Sequence, residues 1–168
     1  MLSLNFLRRA TLGLALVLPI LVSAQSWPNK PIKWIIPYTP GGITDNATRM
    51  VVQKVQEQTG WTIVVENKPG ASGAIAMELV AKAPADGYTL LSYNNSLWTL
   101  PLLQTVPYDV LRDFVPVTLA TRSPNILVVH PSLPFTTVRE LVAHAKAHPG
   151  TLNYASGTIG STNHLAAE

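Results

Sequence analysis

Apolar runs of strand length alternate with segments of helical period along the first half of the chain. The runs that predict strands are residues 32–36, 62–66 and 88–93. Apolar positions recur at intervals of three and four over residues 45–59, and residues 72–83 also favour a helix. Thr44 is placed to cap the first helix and Gly60 to end it. This alternation predicts βαβ units with a parallel sheet.

Residues 101–116 show no clear strand or helix period, and the alternation resumes after them. Three further runs predict strands, at residues 115–120, 126–129 and 152–155. Apolar residues at helical spacing from Val138 predict a helix that Thr136 or Thr137 caps and Pro149-Gly150 ends. A last helix is predicted to begin near Thr162.

Two glycine-containing loops lie where a predicted strand passes into a predicted helix. The first is Pro37-Tyr38-Thr39-Pro40-Gly41-Gly42-Ile43-Thr44-Asp45, and the second spans residues 156–162. Glycine lets backbone N–H groups approach a ligand, and the unpaired N–H groups of a helix start favour negative charge. Ligands of open parallel sheets bind beyond the carboxyl ends of the strands, which places the first loop beside residues 94–96. The sequence therefore predicts an anion site at this edge.

The first two dozen residues have the organisation of an export signal. Arg8 and Arg9 precede thirteen residues, Ala10 to Val22, that are mostly apolar, and Val22-Ser23-Ala24 has the small-x-small form of a cleavage site. Thirteen residues are too few for a stable membrane span, which needs about 20. We therefore predict a cleavable signal peptide over residues 1–24 and a periplasmic product.

Charge and cysteine content exclude several classes of function. Without residues 1–24 the net charge falls from +3 to +1, because that segment holds two arginines and no acidic residue. No Lys/Arg cluster remains that could neutralise several phosphates, so nucleic-acid binding is set aside. The absence of cysteine excludes disulfides, thiol nucleophiles and thiolate metal ligands.

The motif search favours a neutral binding site over a nucleotide or catalytic site. Neither glycine loop has the lysine of a phosphate-binding P-loop or the full dinucleotide fingerprint, and no serine lies in a Gly-x-Ser-x-Gly elbow. Uncharged amides and hydroxyls at helix starts suit the reversible capture of a small carboxylate. The donors of this kind are Gly41, Gly42, Thr44, Ser156, Thr158, Ser161 and Thr162.

Several side chains remain open to two interpretations. Asp45 either binds a ligand or stabilises the first turn of its helix, and Tyr38 either walls a ligand site or packs at a strand end. Ser156 with His164 and an aspartate is a candidate for a hydrolytic triad.

Five blocks in order along the chain resemble the Bug-type extracytoplasmic solute receptors of tripartite tricarboxylate transporters. They run from Lys30 to Asp45, Val64 to Ala71, Ala81 to Leu91, Pro124 to Pro131, and Leu152 to Ala166. The resemblance implies an α/β protein with two periplasmic binding protein type II-like (Venus flytrap) lobes. Residues 25–120 would form the first lobe, and residues 121–168 the start of a second lobe that is incomplete.

The resemblance also implies a function without catalysis, metal or organic cofactor. The receptor would bind a small carboxylate, such as a di- or tricarboxylate, an amino acid or an aromatic acid, and present it to membrane permease subunits. Thr39 stands where the family often has proline, and Thr158-Ile159 replaces a segment often richer in glycine. The expected ligand-binding residues are Tyr38, Thr39, Pro40, Gly41, Gly42, Thr44, Asp45, Asn94, Ser156, Gly157, Thr158, Gly160, Ser161, Thr162 and His164.

Length is the main departure from the family, whose members are roughly twice as long. It leads us to expect a truncated or partial receptor with a poorly closed cleft and uncovered apolar faces. Three other functions stay open at this point. They are a binding protein that reports its ligand to a sensor kinase, a serine-dependent hydrolase and a non-functional remnant.

Overall fold

Three parallel strands form a sheet within residues 26–168, in the order β2-β1-β3. The computed structural model describes residues 26–168, so the predicted signal peptide lies outside the described residues. The strands are β1 (Ile32–Ile36), β2 (Ile63–Asn67) and β3 (Thr89–Leu91). Trp34, in the central strand, pairs with Val65 on one side and Leu90 on the other. The predicted parallel sheet of βαβ units is confirmed.

Helices make both crossovers of the sheet. Helix α1 (Ile43–Thr59) joins β1 to β2, and a 3-10 turn (Ala71–Gly73) with helix α2 (Ala74–Ala81) joins β2 to β3. Gly60 ends α1 as predicted, in the left-handed conformation with φ 71°. The prediction that Thr44 caps α1 is wrong, because the helix already begins at Ile43 and Gly42 is its N-cap.

The core lies on both faces of β1. Ile32, Ile35 and Ile36 are almost fully buried, and Ile32 packs with Val52 of α1 and Ile63 of β2. Burying each such side chain stabilises the fold by about 1.5–3 kcal/mol. A second cluster joins Met77 of α2 to Leu97 and Tyr108, so the chain that follows β3 is fixed to the sheet.

Two helices that follow β3 were not predicted from the sequence. Helix α3 (Ser96–Leu103) contains Pro101, and helix α4 (Val110–Asp113) is a single turn. Proline is unfavourable inside a helix, so Pro101 indicates against a helix at this position. The structure nevertheless forms α3 and buries its Leu97 and Leu100 fully. Asp109 caps α4 by accepting hydrogen bonds from the backbone N–H groups of Leu111 and Arg112.

The three strands predicted in the second half are not formed. Residues 115–120, 126–129 and 152–155 take no part in a sheet within residues 26–168. Their apolar side chains are mostly exposed, with Val115 at 88% and Ile126 at 79%. A strand needs a neighbouring strand to pair its backbone N–H and C=O groups, and no described segment supplies one here.

The two helices predicted in the second half are present. Helix α5 (Val138–Ala147) begins with a capping box, in which the Thr137 hydroxyl accepts from the Glu140 N–H and the Glu140 carboxylate accepts from the Thr137 N–H. Helix α6 (Thr162–Ala167) begins after Ser161. None of the helices within residues 26–168 has both the length and the apolar character that crossing a bilayer requires. The lobe boundary near residue 120 stays a prediction.

Candidate functional site

The loops that follow β1 and β3 meet at the carboxyl ends of these strands. Tyr38 Oη lies 3.0 Å from Ser96 Oγ, and the backbone N–H of Asn94 donates to Tyr38 Oη at 3.1 Å. The Asn94 side chain accepts from the Ser96 N–H and so fixes the turn into α3. The sequence placed these two loops side by side from topology alone, and the hydrogen bonds confirm that placement.

Tyr38 lies where the first glycine loop meets the turn into α3. Its hydroxyl is held by Asn94 and by Ser96, which is fully buried. Burial raises the pKa of Tyr38 above its ordinary value, so the phenol stays neutral at physiological pH. Tyr38 also lines a pocket, described below. It therefore connects the two loops and forms part of the pocket wall.

Asp45 is held by protein groups on both of its carboxylate oxygens. Arg49 Nε lies 3.0 Å from each oxygen, the Gly41 N–H donates at 2.8 Å and Asn67 Nδ2 donates at 2.9 Å. Asp45 is only 2% exposed. These donors, Arg49 first, lower the pKa of Asp45 to about 2. The carboxylate is therefore charged and fully engaged within the protein.

This network braces the first glycine loop from within. Asn67, the last residue of β2, also donates to the backbone carbonyl of Tyr38, and Arg49 donates to Asn67 Oδ1. The Gly41 N–H, a predicted ligand donor, is directed at Asp45 instead. Arg49 was missed as a loop brace, although its spacing of four from Asp45 on one helix face was a usable signal. Asn67 had no comparable signal, because its role depends on the sheet register.

The second glycine loop is held by polar residues of the first part of the chain. Asn95 Nδ2 donates to the Gly160 carbonyl at 2.9 Å, and the Thr162 N–H donates to Asn95 Oδ1 at 2.9 Å. Thr99 Oγ1 also donates to the Gly160 carbonyl. Gly160 has φ 79°, and a Cβ there would lie 2.9 Å from Thr99 Oγ1. The glycine therefore permits a close approach between this loop and α3.

A pocket of about 180 Å³ opens between these loops. Three segments line it: the loop after β1, the loop after β2 and the second glycine loop. The lining residues are Pro37, Tyr38, Thr39, Pro69, Gly70, Ser72, Gly73 and Thr158. None of the eight carries a charge. The side-chain hydroxyls of Thr39, Ser72 and Thr158 have no hydrogen-bond partner within residues 26–168, so all three are available to a ligand.

The pocket includes only some of the predicted site residues. Tyr38, Thr39 and Thr158 line it, whereas Asn94 does not line it and donates its backbone N–H to Tyr38 Oη. The others do not line it: Pro40, Gly41, Gly42, Thr44, Asp45, Ser156, Gly157, Gly160, Ser161, Thr162 and His164. The loop after β2 was missed, because its residues were assigned to a turn and to the start of a helix.

Two of the residues outside the pocket bear on the hydrolase hypothesis. Ser156 is exposed and makes no hydrogen bond to His164. His164 Nδ1 is buried without a partner among the described residues. Over the same residues, no cluster of three or more His, Asp or Glu side chains is placed to hold a metal ion. Nothing in this geometry favours a serine nucleophile.

A parallel sheet with an uncharged pocket at the ends of its strands has the arrangement of an α/β binding protein. Residues 47–168 match the model of a family described as the tripartite tricarboxylate transporter family receptor, TctC. The chain belongs to this family. BugT of Bordetella pertussis is 40% identical over 150 residues, which are 88% of this chain and 46% of BugT. The chain thus spans about half the length of the curated relatives it matches.

Solved structures of similar proteins agree with this assignment. R. palustris Rpa4515 with adipate has a TM-score of 0.76 at 38% identity, over 84% of this chain and 48% of that one. The periplasmic binding protein BugD has a TM-score of 0.66 at 31% identity, over 84% and 48%. MatC (Rpa3494) from Rhodopseudomonas palustris with bound malate has a TM-score of 0.69 at 28% identity, over 81% and 47%. The described fold corresponds to about half of these solute-binding protein structures.

Proposed function

We propose that this chain forms the ligand-binding first lobe, and the start of the second, of a periplasmic receptor for a small carboxylate. The receptor passes its solute to the membrane permease subunits of a tripartite tricarboxylate transporter. The observation that carries the proposal is the uncharged pocket in which Thr39 and Thr158, from two different loops, hold unpaired hydroxyls. The adipate and malate of the similar structures support a carboxylate ligand.

The pocket suits an anion that must be released again. Hydroxyl and amide donors form charge-assisted hydrogen bonds to a carboxylate, and these are about twice as strong as bonds between neutral groups. Within residues 26–168, no lysine or arginine lines the pocket to form a full ion pair. Six residues separate the end of β1 from the start of helix α1, which adds the positive end of its dipole to this edge of the sheet. Such a site binds reversibly, as delivery to a permease requires.

We also propose that the receptor has no catalytic activity and uses no cofactor. The family is one of receptors, and no hydrogen bond joins Ser156 to His164. Residues 1–24 act as a cleaved export signal in this proposal. Fractionation should therefore recover the product in the periplasm with Gln25 at its amino terminus, and should leave a variant without residues 1–24 in the cytoplasm.

Binding is tested by calorimetry and thermal unfolding of the purified chain with succinate, malate and adipate. A ligand at 100 times its dissociation constant adds about 2.7 kcal/mol to the free energy of unfolding. Dimethyl adipate, which keeps the carbon chain but lacks charge, should not bind. If no carboxylate of the panel binds, the proposed function is wrong for this chain.

Matched variants locate the site. Thr39→Val and Thr158→Val keep the shape of each side chain and remove its hydroxyl, so each should weaken carboxylate binding about tenfold. Thr105→Val is the control, because Thr105 is exposed outside the pocket and its hydroxyl also lacks a partner within residues 26–168. Equal affinities of all three variants and the unmodified chain would show that the ligand binds elsewhere.

A further inference from the structure

The loop that follows β2 forms a third wall of the pocket. Pro69, Gly70, Ser72 and Gly73 all line it, together with Tyr38, Thr39 and Thr158 of the predicted site. The backbone of this loop is unusual. Ala71 has φ 46° and Ser72 has φ 56° with ψ 25°, so two residues with a Cβ are in the left-handed region that favours glycine.

Ser72 has a left-handed backbone conformation and a side-chain hydroxyl that is available to a ligand. It is partly buried and lines the pocket, and its hydroxyl has no partner within the described residues. Two hydroxyls that are more deeply buried are paired: Thr48 Oγ1 donates to the Thr44 carbonyl at 2.7 Å, and Ser161 Oγ donates to Asn163 Oδ1 at 2.6 Å. The loop therefore holds a serine where glycine would fit its backbone better, with the hydroxyl left for a ligand.

The positions of the free hydroxyls indicate the class of ligand. Thr39, Ser72 and Thr158 come from three separate loops around one pocket. A monocarboxylate has its two acceptor oxygens side by side at one end, whereas a dicarboxylate has acceptors at both ends. Donors that come from three loops rather than from one suit a ligand with acceptors at both ends.

We propose that Ser72 is a specificity-determining residue, whose hydroxyl donates to the second carboxylate of a small aliphatic dicarboxylate. Thr39 and Thr158 serve the first carboxylate. This inference rests on the proposed function, because it assigns one part of the same pocket. It predicts that Ser72 contributes to the preference for dicarboxylates over monocarboxylates of equal length.

Three variants separate the hydroxyl from the backbone strain. Ser72→Ala removes the hydroxyl and keeps the Cβ, and Ser72→Gly removes the hydroxyl and relieves the left-handed strain. Ala71→Gly relieves strain at the neighbouring residue and leaves the Ser72 hydroxyl in place. Both Ser72 variants should bind adipate about tenfold more weakly, the loss expected for one hydrogen bond to a charged group. Ala71→Gly should keep the affinity of the unmodified chain.

The decisive measurement is the ratio of affinities for adipate and hexanoate, and likewise for succinate and butyrate. In the unmodified chain the dicarboxylate should bind more tightly, and Ser72→Ala should lower that ratio about tenfold through the dicarboxylate alone. If dicarboxylates bind but the ratio stays the same in Ser72→Ala, this inference is wrong and the proposed function stands. If no dicarboxylate binds the unmodified chain, both are wrong.

Discussion

The two glycine loops look alike in sequence but are held in different ways. The first, at Pro37–Asp45, is held by a charged group: the carboxylate of Asp45 accepts hydrogen bonds from the Gly41 N–H, Arg49 and Asn67. The second is braced by neutral hydrogen bonds, in which Asn95 and Thr99 of the α3 region hold the Gly160 carbonyl. A glycine loop that precedes a helix is therefore not by itself a ligand cradle, because part of its backbone is needed to hold the loop.

The source of the bracing residues differs as well. Asp45 and Arg49 lie in helix α1, which follows directly on the first loop, so most of the residues that hold this loop are close to it in sequence. The second loop depends on residues more than 60 positions earlier in the chain. The first loop should accordingly keep its shape when the second is disturbed, whereas the second loop should detach when its few contacts are removed.

The largest effect is expected from Gly160→Ala. The new Cβ would lie 2.9 Å from Thr99 Oγ1 in a backbone with φ 79°, and relieving that contact disturbs the hydrogen bond from Thr99 to the Gly160 carbonyl. We expect a loss of about 2–4 kcal/mol in the free energy of unfolding, from overpacking together with the left-handed φ. Chemical denaturation measures this loss.

Gly150→Ala is a closely matched control. Gly150 also has φ 79°, but a Cβ there would meet nothing within 4 Å. It should cost only the conformational part, about 1–2 kcal/mol. Equal losses for the two variants would show that the close approach of Gly160 to α3 does not stabilise the protein.

A smaller effect is expected from Asn95→Ala. It removes the hydrogen bonds to the Gly160 carbonyl and from the Thr162 N–H, which together contribute about 1–3 kcal/mol. The second loop should become more susceptible to limited proteolysis near Ser156, while the amide resonances of residues 38–42 stay where they are. Movement of the first-loop resonances by as much as those of the second loop would contradict the independence of the two loops.

The parts predicted correctly from the sequence depend on local patterns. The runs at Ile32–Ile36 and Ile63–Asn67 carry their own signals, and the parallel order followed because helices separate them. The meeting of Tyr38 with Ser96 was also within reach, since parallel strands end at one edge of a sheet. Topology thus predicted that these two loops meet, but not that the loop after β2 lines the pocket.

The parts that were missed depend on long-range partners. Residues 115–120 and 126–129 have strand-like composition, but an apolar run does not specify the strand that must pair with it. The sequence predicts a helix that begins at Ser72, whereas Ala71 and Ser72 have a left-handed backbone. Alanine and serine rarely adopt this conformation, so their presence in a sequence does not indicate it. The sequence leaves Asp45 as either a ligand-binding residue or a helix-stabilising one, because its partners Gly41, Arg49 and Asn67 are known only from the structure.

The smallest effect at neutral pH is expected from Asp45→Asn, which tests the charged brace. Arg49 is about half exposed, so water replaces part of the lost ion pair, and asparagine keeps an acceptor for Gly41. The difference between Asp45→Asn and the unmodified chain should appear at acid pH. The pKa of Asp45 is lowered from 3.8 to about 2, so its contribution is complete above pH 4 and is lost as the pH falls towards 2.

Amide resonances of residues 38–42 should therefore shift between pH 4 and pH 2 in the unmodified chain and not in Asp45→Asn. Asp113→Asn is the control, because Arg112 holds the pKa of Asp113 at about 2 as well, but Asp113 lies in α4, away from the loop. This control should leave the titration of the loop unchanged. The second loop, held by the uncharged Asn95 and Thr99, should show no transition in this range. If both loops shift together in acid, charge does not distinguish how they are held.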